Sequence, residues 1–231
     1  MTSECTVCGA APRGPMQRSL RGELTCVRHR ADVHCTYCGR PSDLTEPGWS
    51  EVASSEWRCP SCSADAVDTD AELRRHVVEV RRITRELGFG LTVPVRVVFA
   101  PVPPALGPAL AHTELVLTGP RTAEVTLVRV APGLPAFMFS RSVAHEVGHA
   151  WLAQSGARPR RAEVEEGVCE LVSYAWLKRS GLAYAEAVRD MIRHNPDPTY
   201  GDGFREVHEA VHGHGLRTVL RSLTDCGELP A

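Results

Sequence analysis

Lysine, net charge and long apolar runs are all scarce in this chain of 231 residues. Lys178 is the only lysine among 26 basic residues, a bias of the kind GC-rich coding produces, and it carries no functional reading. A formal net charge of -2 excludes any overall attraction to nucleic acid or to an anionic membrane, so partners have to be argued from sites. No stretch approaches the roughly 18 apolar residues that a membrane helix requires. The opening MTSECTVCGA has neither the charged region nor the apolar region of a secretory signal, so the expectation is a cytoplasmic protein without a membrane partner. The hydrophobic fraction of 43% and charged fraction of 23% are ordinary for a folded protein. The length suits one small module, expected at 1–66, and one larger domain at 67–231.

Cysteine, by contrast, is abundant, and seven of the nine fall within the first 62 residues in dyads. In a reducing compartment such dyads signal metal rather than disulfides. They read Cys5-x2-Cys8, Cys26-x2-His29, Cys35-x2-Cys38 and Cys59-x2-Cys62. A two-residue gap lets a tight turn aim two side chains at one ion, and two such turns complete the tetrahedron that zinc prefers. The order assigns Cys5, Cys8, Cys26 and His29 to one structural zinc and Cys35, Cys38, Cys59 and Cys62 to another. His34 competes with His29, which completes the two-residue gap. The spacing resembles a LIM domain, a tandem of two zinc ribbons used for protein contacts, over residues 5–62. It departs from that family in closing the first site with Cys then His, and in separating its halves by five residues. The resemblance implies a protein partner for the module. Arginines scattered singly through 1–66 make no stripe for nucleic acid, which is not an expected partner.

Beyond the dyads, DTDAELRRHVVEVRRITRELG carries Leu73, Val77, Val80, Thr84 and Leu87 at helical spacing, with acidic residues before it and Gly88 after. Val, Leu and Thr-rich stretches near 93–99, 113–118 and 123–130, separated by proline and glycine, predict three strands. From 138 onward the pattern is helical. A few strands followed by several helices predict an α+β domain. The strand at 123–130, just ahead of the next helix, is the expected sheet edge for an extended peptide.

The chemistry starts in SRSVAHEVGHAW. His145 and His149, four residues apart, leave a helix within about 40° of each other, opposite Val143, Val147, Ala150 and Trp151. One face packs and the other can hold a metal, with Glu146 placed as a base. The next helical run, RAEVEEGVCELVSYAWLKRSG, shows an apolar stripe of Val164, Val168, Leu171, Val172 and Ala175. Glu166 and Glu170 lie opposite it, whereas Glu165 lies near its edge. Periodicity therefore selects Glu166 as third ligand of an open His2Glu zinc site, with Glu170 bracing a ligand histidine from behind. Tyr200 and His208 are the candidates for stabilising an oxyanion. Cys169 reads as a small buried packing residue.

HEVGHAWLAQSG, EVEEGVCELVSYAWL and YGDGFR, in that order, resemble the peptidase domain of the DA1 family over roughly residues 70–225. The resemblance implies a gluzincin-like endopeptidase with a zincin-like fold, acting on protein substrates. It also implies His145 and His149 as zinc ligands, Glu146 as catalytic acid and base, and a glutamate of EEGVCE as third ligand. Plant members act within ubiquitin-linked pathways. No recognisable ubiquitin-interacting helix precedes the zinc module here. Three zinc ions per chain, two structural and one catalytic, are expected. The competing expectation is a non-catalytic adaptor that binds a partner through the zinc module.

Overall fold

The computed structural model describes all residues except 1–3, 12–13, 30–32, 43–45, 54–55, 103–109, 120–121 and 231. The chain divides into two units, Met1–Asp68 with Gly133–Met138, and Thr69–Pro132 with Phe139–Ala231. Among the described residues no helix is long and apolar enough to cross a membrane.

The first unit is built from three short antiparallel hairpins. They pair β1 (Met16–Arg18) with β2 (Leu24–Cys26), β3 (Val33–His34) with β4 (Pro41–Ser42), and β5 (Ser50–Ala53) with β6 (Glu56–Arg58). A short helix, α1 (Pro60–Ala64), follows. Cys59 is its N-cap, and the sulfur accepts the backbone N–H of Cys62 at 3.4 Å, so the last dyad is fixed by helix capping rather than by a turn. The buried apolar residues of this unit are largely the cysteines themselves, with Tyr37, Val67, Leu134 and Phe137. So small a core needs a further cross-link, and clustered metal donors are the means available.

In the second unit, α2 (Asp70–Glu86) opens with a capping box. Thr69 accepts the Glu72 N–H, and the Glu72 carboxylate takes the Thr69 N–H in return. Leu73, Val77, Val80 and Thr84 are buried along one side, as their spacing requires, and Ile83 joins them. The sheet has the order β7 (Val97–Phe99), β9 (Thr122–Val130), β8 (Ala111–Gly119), with β7 parallel and β8 antiparallel to β9. The expectation that 123–130 is the sheet edge is thereby corrected. β9 is hydrogen-bonded on both sides, because the parallel return of β7 occupies the flank that a simple hairpin would leave open. Among the described residues no strand pairs with the outer side of β8.

Five helices complete the chain: α3 (Ala136–Ser155), α4 (Ala162–Arg179), α5 (Ala185–Arg193), α6 (Gly203–His214) and α7 (Leu216–Asp225). One turn of π-helix, Pro198–Asp202, leads directly into α6. The protein is thus a mixed α+β structure with a four-cysteine cluster near its N-terminus. Glycines set how closely α4 and α6 approach. A Cβ at Gly167 would stand 2.2 Å from the Gly203 carbonyl oxygen, and one at Gly203 would stand 2.0 Å from that of Glu163. Both atoms are backbone, so neither can swing aside.

Replacing a helix-interior glycine by alanine ordinarily gains about 1 kcal/mol. At Gly167 overpacking, about 1–3 kcal/mol or more, outweighs that gain. Gly167→Ala is expected to lower the urea midpoint, and a midpoint equal to or above that of the parent chain would show that α4 and α6 are not so close.

Candidate metal centre

His145 and His149 leave the same side of α3, their ring centroids 5.2 Å apart. Val143, Val147 and Ala150 on its other side are buried. Across from them α4 presents three carboxylates, each with a different relation to the pair. Glu166 Oε2 lies 3.1 Å from His145 Nε2 and 3.6 Å from His149 Nε2. Glu170 lies 3.1 Å from His145 Nδ1, and Glu165 lies 3.2 Å from His149 Nδ1. Both rings therefore turn Nε2 toward a shared carboxylate and donate their outer N–H to a private one. A tetrahedral ion with ligand bonds of about 2.0–2.2 Å holds its N and O donors roughly 3.3–3.5 Å apart. The two Glu166 distances bracket that edge length, so this carboxylate suits a place beside each imidazole on one ion, while the donors that all lie within 4.8 Å of one another are those of His145, His149 and Cys169.

The electrostatics agree with a site made for a cation. Burial opposes charge on His145, but the hydrogen bonds of Glu166 and Glu170 outweigh it and raise its pKa to about 10. Burial likewise opposes ionisation of Glu166, and the two histidines nonetheless hold it at about 2. Glu170, also against the cost of burial, is held at about 2 by Arg141 and His145. Arg141 Nη2 meets both Glu170 oxygens, at 2.9 and 3.0 Å. The carboxylate that orients His145 is itself oriented by a guanidinium one helical turn earlier on α3.

Glu146 is buried, and its Oε2 accepts the hydroxyl of Thr113 on β8 at 2.5 Å. The centre opens into a cavity of about 650 Å3 lined by His112, Thr113 and Leu115 of β8, Arg141 of α3, and Asp197 and Tyr200 near the π-turn. Asp197 caps that turn by accepting the N–H groups of Thr199 and Tyr200 at 2.8 and 2.9 Å. Gly201 is pressed against Asn195, where a Cβ would fall 1.9 Å from the carbonyl oxygen. This puts the Tyr200 ring 6.2 Å from that of His145. Burial, followed by the charge of Glu166, raises the Tyr200 pKa, keeping the phenol protonated and able to donate.

His208 is placed elsewhere. It packs 5.5 Å from Tyr174 and 5.2 Å from Phe204, is not among the cavity-lining residues, and burial lowers its pKa. The histidine-to-tyrosine contact has a plain cause, since α6 turns this face to α4. Thr113, Arg141 and the contact made by Glu165 had no signature in the sequence. Cys169 lies with its thiol within 4.8 Å of ring nitrogens of both His145 and His149, a position that helical periodicity alone could have suggested from Glu166, three residues earlier.

Two further donor sets lie in the first unit: Cys5, Cys8, Cys26 and His29, and Cys35, Cys38, Cys59 and Cys62. His29, and not the exposed His34 of β3, completes the first. Its Nε2 is buried without a hydrogen-bond partner, which a metal would supply. Backbone N–H groups point at the sulfurs of Cys5, Cys35 and Cys59 at 3.4–3.5 Å, as suits thiolate ligands. The second set is wholly buried, whereas Cys8 of the first is exposed. There the Ala10 backbone and the Arg28 guanidinium bring the thiol down to about 7.

Residues 110–189 match the family model for DA1-like proteins, described as Protein DA1. Among curated relatives, the LIM domain-containing protein HDR3 of Oryza sativa subsp. japonica is 30% identical over 146 residues, covering 48% of this chain and 29% of that protein. Protein DA1 of Arabidopsis thaliana is 30% identical over 138 residues, 48% of this chain and 26% of its own. Protein DA1-related 3 of the same plant is 33% identical over 155 residues, covering 48% and 34%. The aligned stretch thus takes up about half of this chain but only 26–34% of each of these relatives. No solved structure matches. Over residues 110–189, which hold β8, β9, α3 and α4, this chain is similar to the DA1-like family.

Proposed function

We propose that the second unit is a zincin-like zinc endopeptidase domain that cuts protein or peptide substrates. One observation carries the reading: His145 and His149 share Glu166 at Nε2, each has its own carboxylate at Nδ1, and Glu146 lines the same cavity as both histidines. A zinc ion held by His145, His149 and Glu166 would supply Lewis acidity and would acidify water toward a pKa of about 7. Glu146, braced by Thr113, takes the proton of the attacking water and passes it to the leaving amine. Tyr200, with its phenol protonated, is the donor placed to stabilise the oxygen of the attacked carbonyl. Ala111, His112, Thr113 and Leu115 of β8 border the cavity, and among the described residues no strand pairs with the outer side of β8, so an extended peptide can add there as a further strand, with main-chain bonds giving grip and little sequence selectivity. The clusters of the first unit would hold two structural zinc ions and present a surface for a protein partner.

Glu146→Gln should reduce cleavage of a proteome-derived peptide library by about 100-fold or more while leaving the zinc content unchanged. Wild-type turnover by the zinc-loaded variant would remove Glu146 from the mechanism, and a wild-type chain with no chelator-sensitive cleavage would favour the adaptor.

Zinc titrations of the α4 variants form a second test. Glu166→Ala should lose the weaker-held zinc almost completely, and Glu170→Ala should weaken its binding about 10- to 100-fold. Glu165→Ala should have a smaller effect, because its carboxylate is 41% exposed where that of Glu170 is 8% exposed, and water can replace it. An order with Glu165→Ala the most damaging would mean that α4 is rotated about its axis.

Elemental analysis should find three zinc ions per chain. Graded chelation should remove the His145 and His149 ion first, then that of the cluster containing exposed Cys8, and last that of the buried four-cysteine cluster. One zinc in a fully folded chain would refute the two structural sites.

A further inference from the structure

Cys169 has no part in the mechanism above, yet its surroundings are those of a ligand rather than of a packing residue. Its side chain is fully buried, and its sulfur lies within 4.8 Å of ring nitrogens of both His145 and His149, which together make it one corner of a three-donor group. It reaches that position because residue 148, between the two histidines on α3, is glycine. A Cβ there would stand 2.9 Å from the Cys169 sulfur and 2.8 Å from its Cα. On α4, Cys169 follows Glu166 by three residues and so shares its face. A zinc–sulfur bond of about 2.3 Å and zinc–nitrogen bonds of about 2.0–2.1 Å put a thiolate roughly 3.5 Å from each imidazole nitrogen in a tetrahedral site. The sulfur and the two imidazoles are therefore grouped closely enough to serve one ion, which would draw them in toward that separation.

We propose that Cys169 is a fourth protein ligand of the metal ion held by His145, His149 and Glu166, closing the centre when no substrate is bound. The assignment rests on the metal-centre reading of these residues. The thiol loses its proton to solvent as the metal binds, and the thiolate becomes an electron-pair donor with no change of oxidation state. Water then has to take a fifth position or replace the thiolate, so Cys169 acts as a brake on the open His2Glu centre. The soft donor also biases the centre toward zinc and cadmium and away from magnesium and manganese.

The test uses the full chain with its two N-terminal clusters kept in zinc, the weaker centre emptied by mild chelation, and one equivalent of cobalt(II) added. Wild type should show a near-ultraviolet thiolate-to-cobalt absorption together with visible cobalt bands. Cys169→Ser, nearly isosteric and expected to fold, should keep the visible bands in altered form and lose the near-ultraviolet absorption, as should Cys169→Ala. An unchanged near-ultraviolet absorption in both variants would overturn the assignment of Cys169. The metal-centre reading itself is tested separately by His149→Ala, which should abolish the visible bands. Visible bands that survive His149→Ala would refute the centre and the Cys169 assignment together.

Discussion

Glycine at position 148 lets α3 and α4 approach until a Cβ on one would collide with the Cα of Cys169 on the other. Two histidines and three glutamates can exchange hydrogen bonds across the gap only because the helices come this near. With any side chain at 148 the helices would have to separate or slide, and Glu166 would lose its position between two imidazoles. The same device recurs behind α4, where Gly167 and Gly203 bring α6 in and with it the π-turn that delivers Tyr200. A π-turn widens the helix by one residue, and such turns are frequent at functional sites. Here the widening is held open by Asp197 and by the fit of Gly201 against Asn195.

So much buried charge would be hard to sustain without a cation. Burying one carboxylate costs several kcal/mol, and leaving one unpaired costs about 3–5 kcal/mol. Glu166 and Glu170 are both substantially buried within a few ångströms of each other's partners. The imidazoles and Arg141 neutralise them, which is why the histidines are shifted up and the glutamates down. Arg141 compensates Glu170, whereas Glu166, the carboxylate common to both Nε2 atoms, is compensated by the two imidazoles.

Local periodicity made a good part of this legible. The four-residue spacing of His145 and His149 requires them to share a face, and the stripe of Val164, Val168, Leu171 and Val172 requires Glu166 and Glu170 to point away from it. The capping box at Thr69 and Glu72 could be read from spacing in the same way. Glu165 escaped because α4 is buried on more than one side, so an apolar stripe no longer divides inside from outside. Thr113 and Arg141 escaped for a different reason: each is fixed by a partner 33 or 29 residues away, and no local pattern encodes such a distance. Strand order was equally out of reach, since a hairpin from 111 to 130 looks the same whether or not β7 returns beside it.

Candidate metal donors have different surroundings in the two units. In the first, sulfur ligands replace the missing apolar core, and backbone N–H groups aimed at the sulfurs hold the dyads in place. Such a centre gains by being closed. In the second, apolar packing of α2, α3, α4 and the sheet already provides a core, so the donors on α3 and α4 carry no such burden and stand beside the cavity that β8 helps to line. A closed site resists exchange because every ligand must leave before the ion can, whereas an open one trades affinity for access. Glu146, buried on α3 between the two histidines in sequence, keeps the Thr113 hydroxyl as its hydrogen-bond donor, so its carboxylate is shielded from bulk water without being left unpaired.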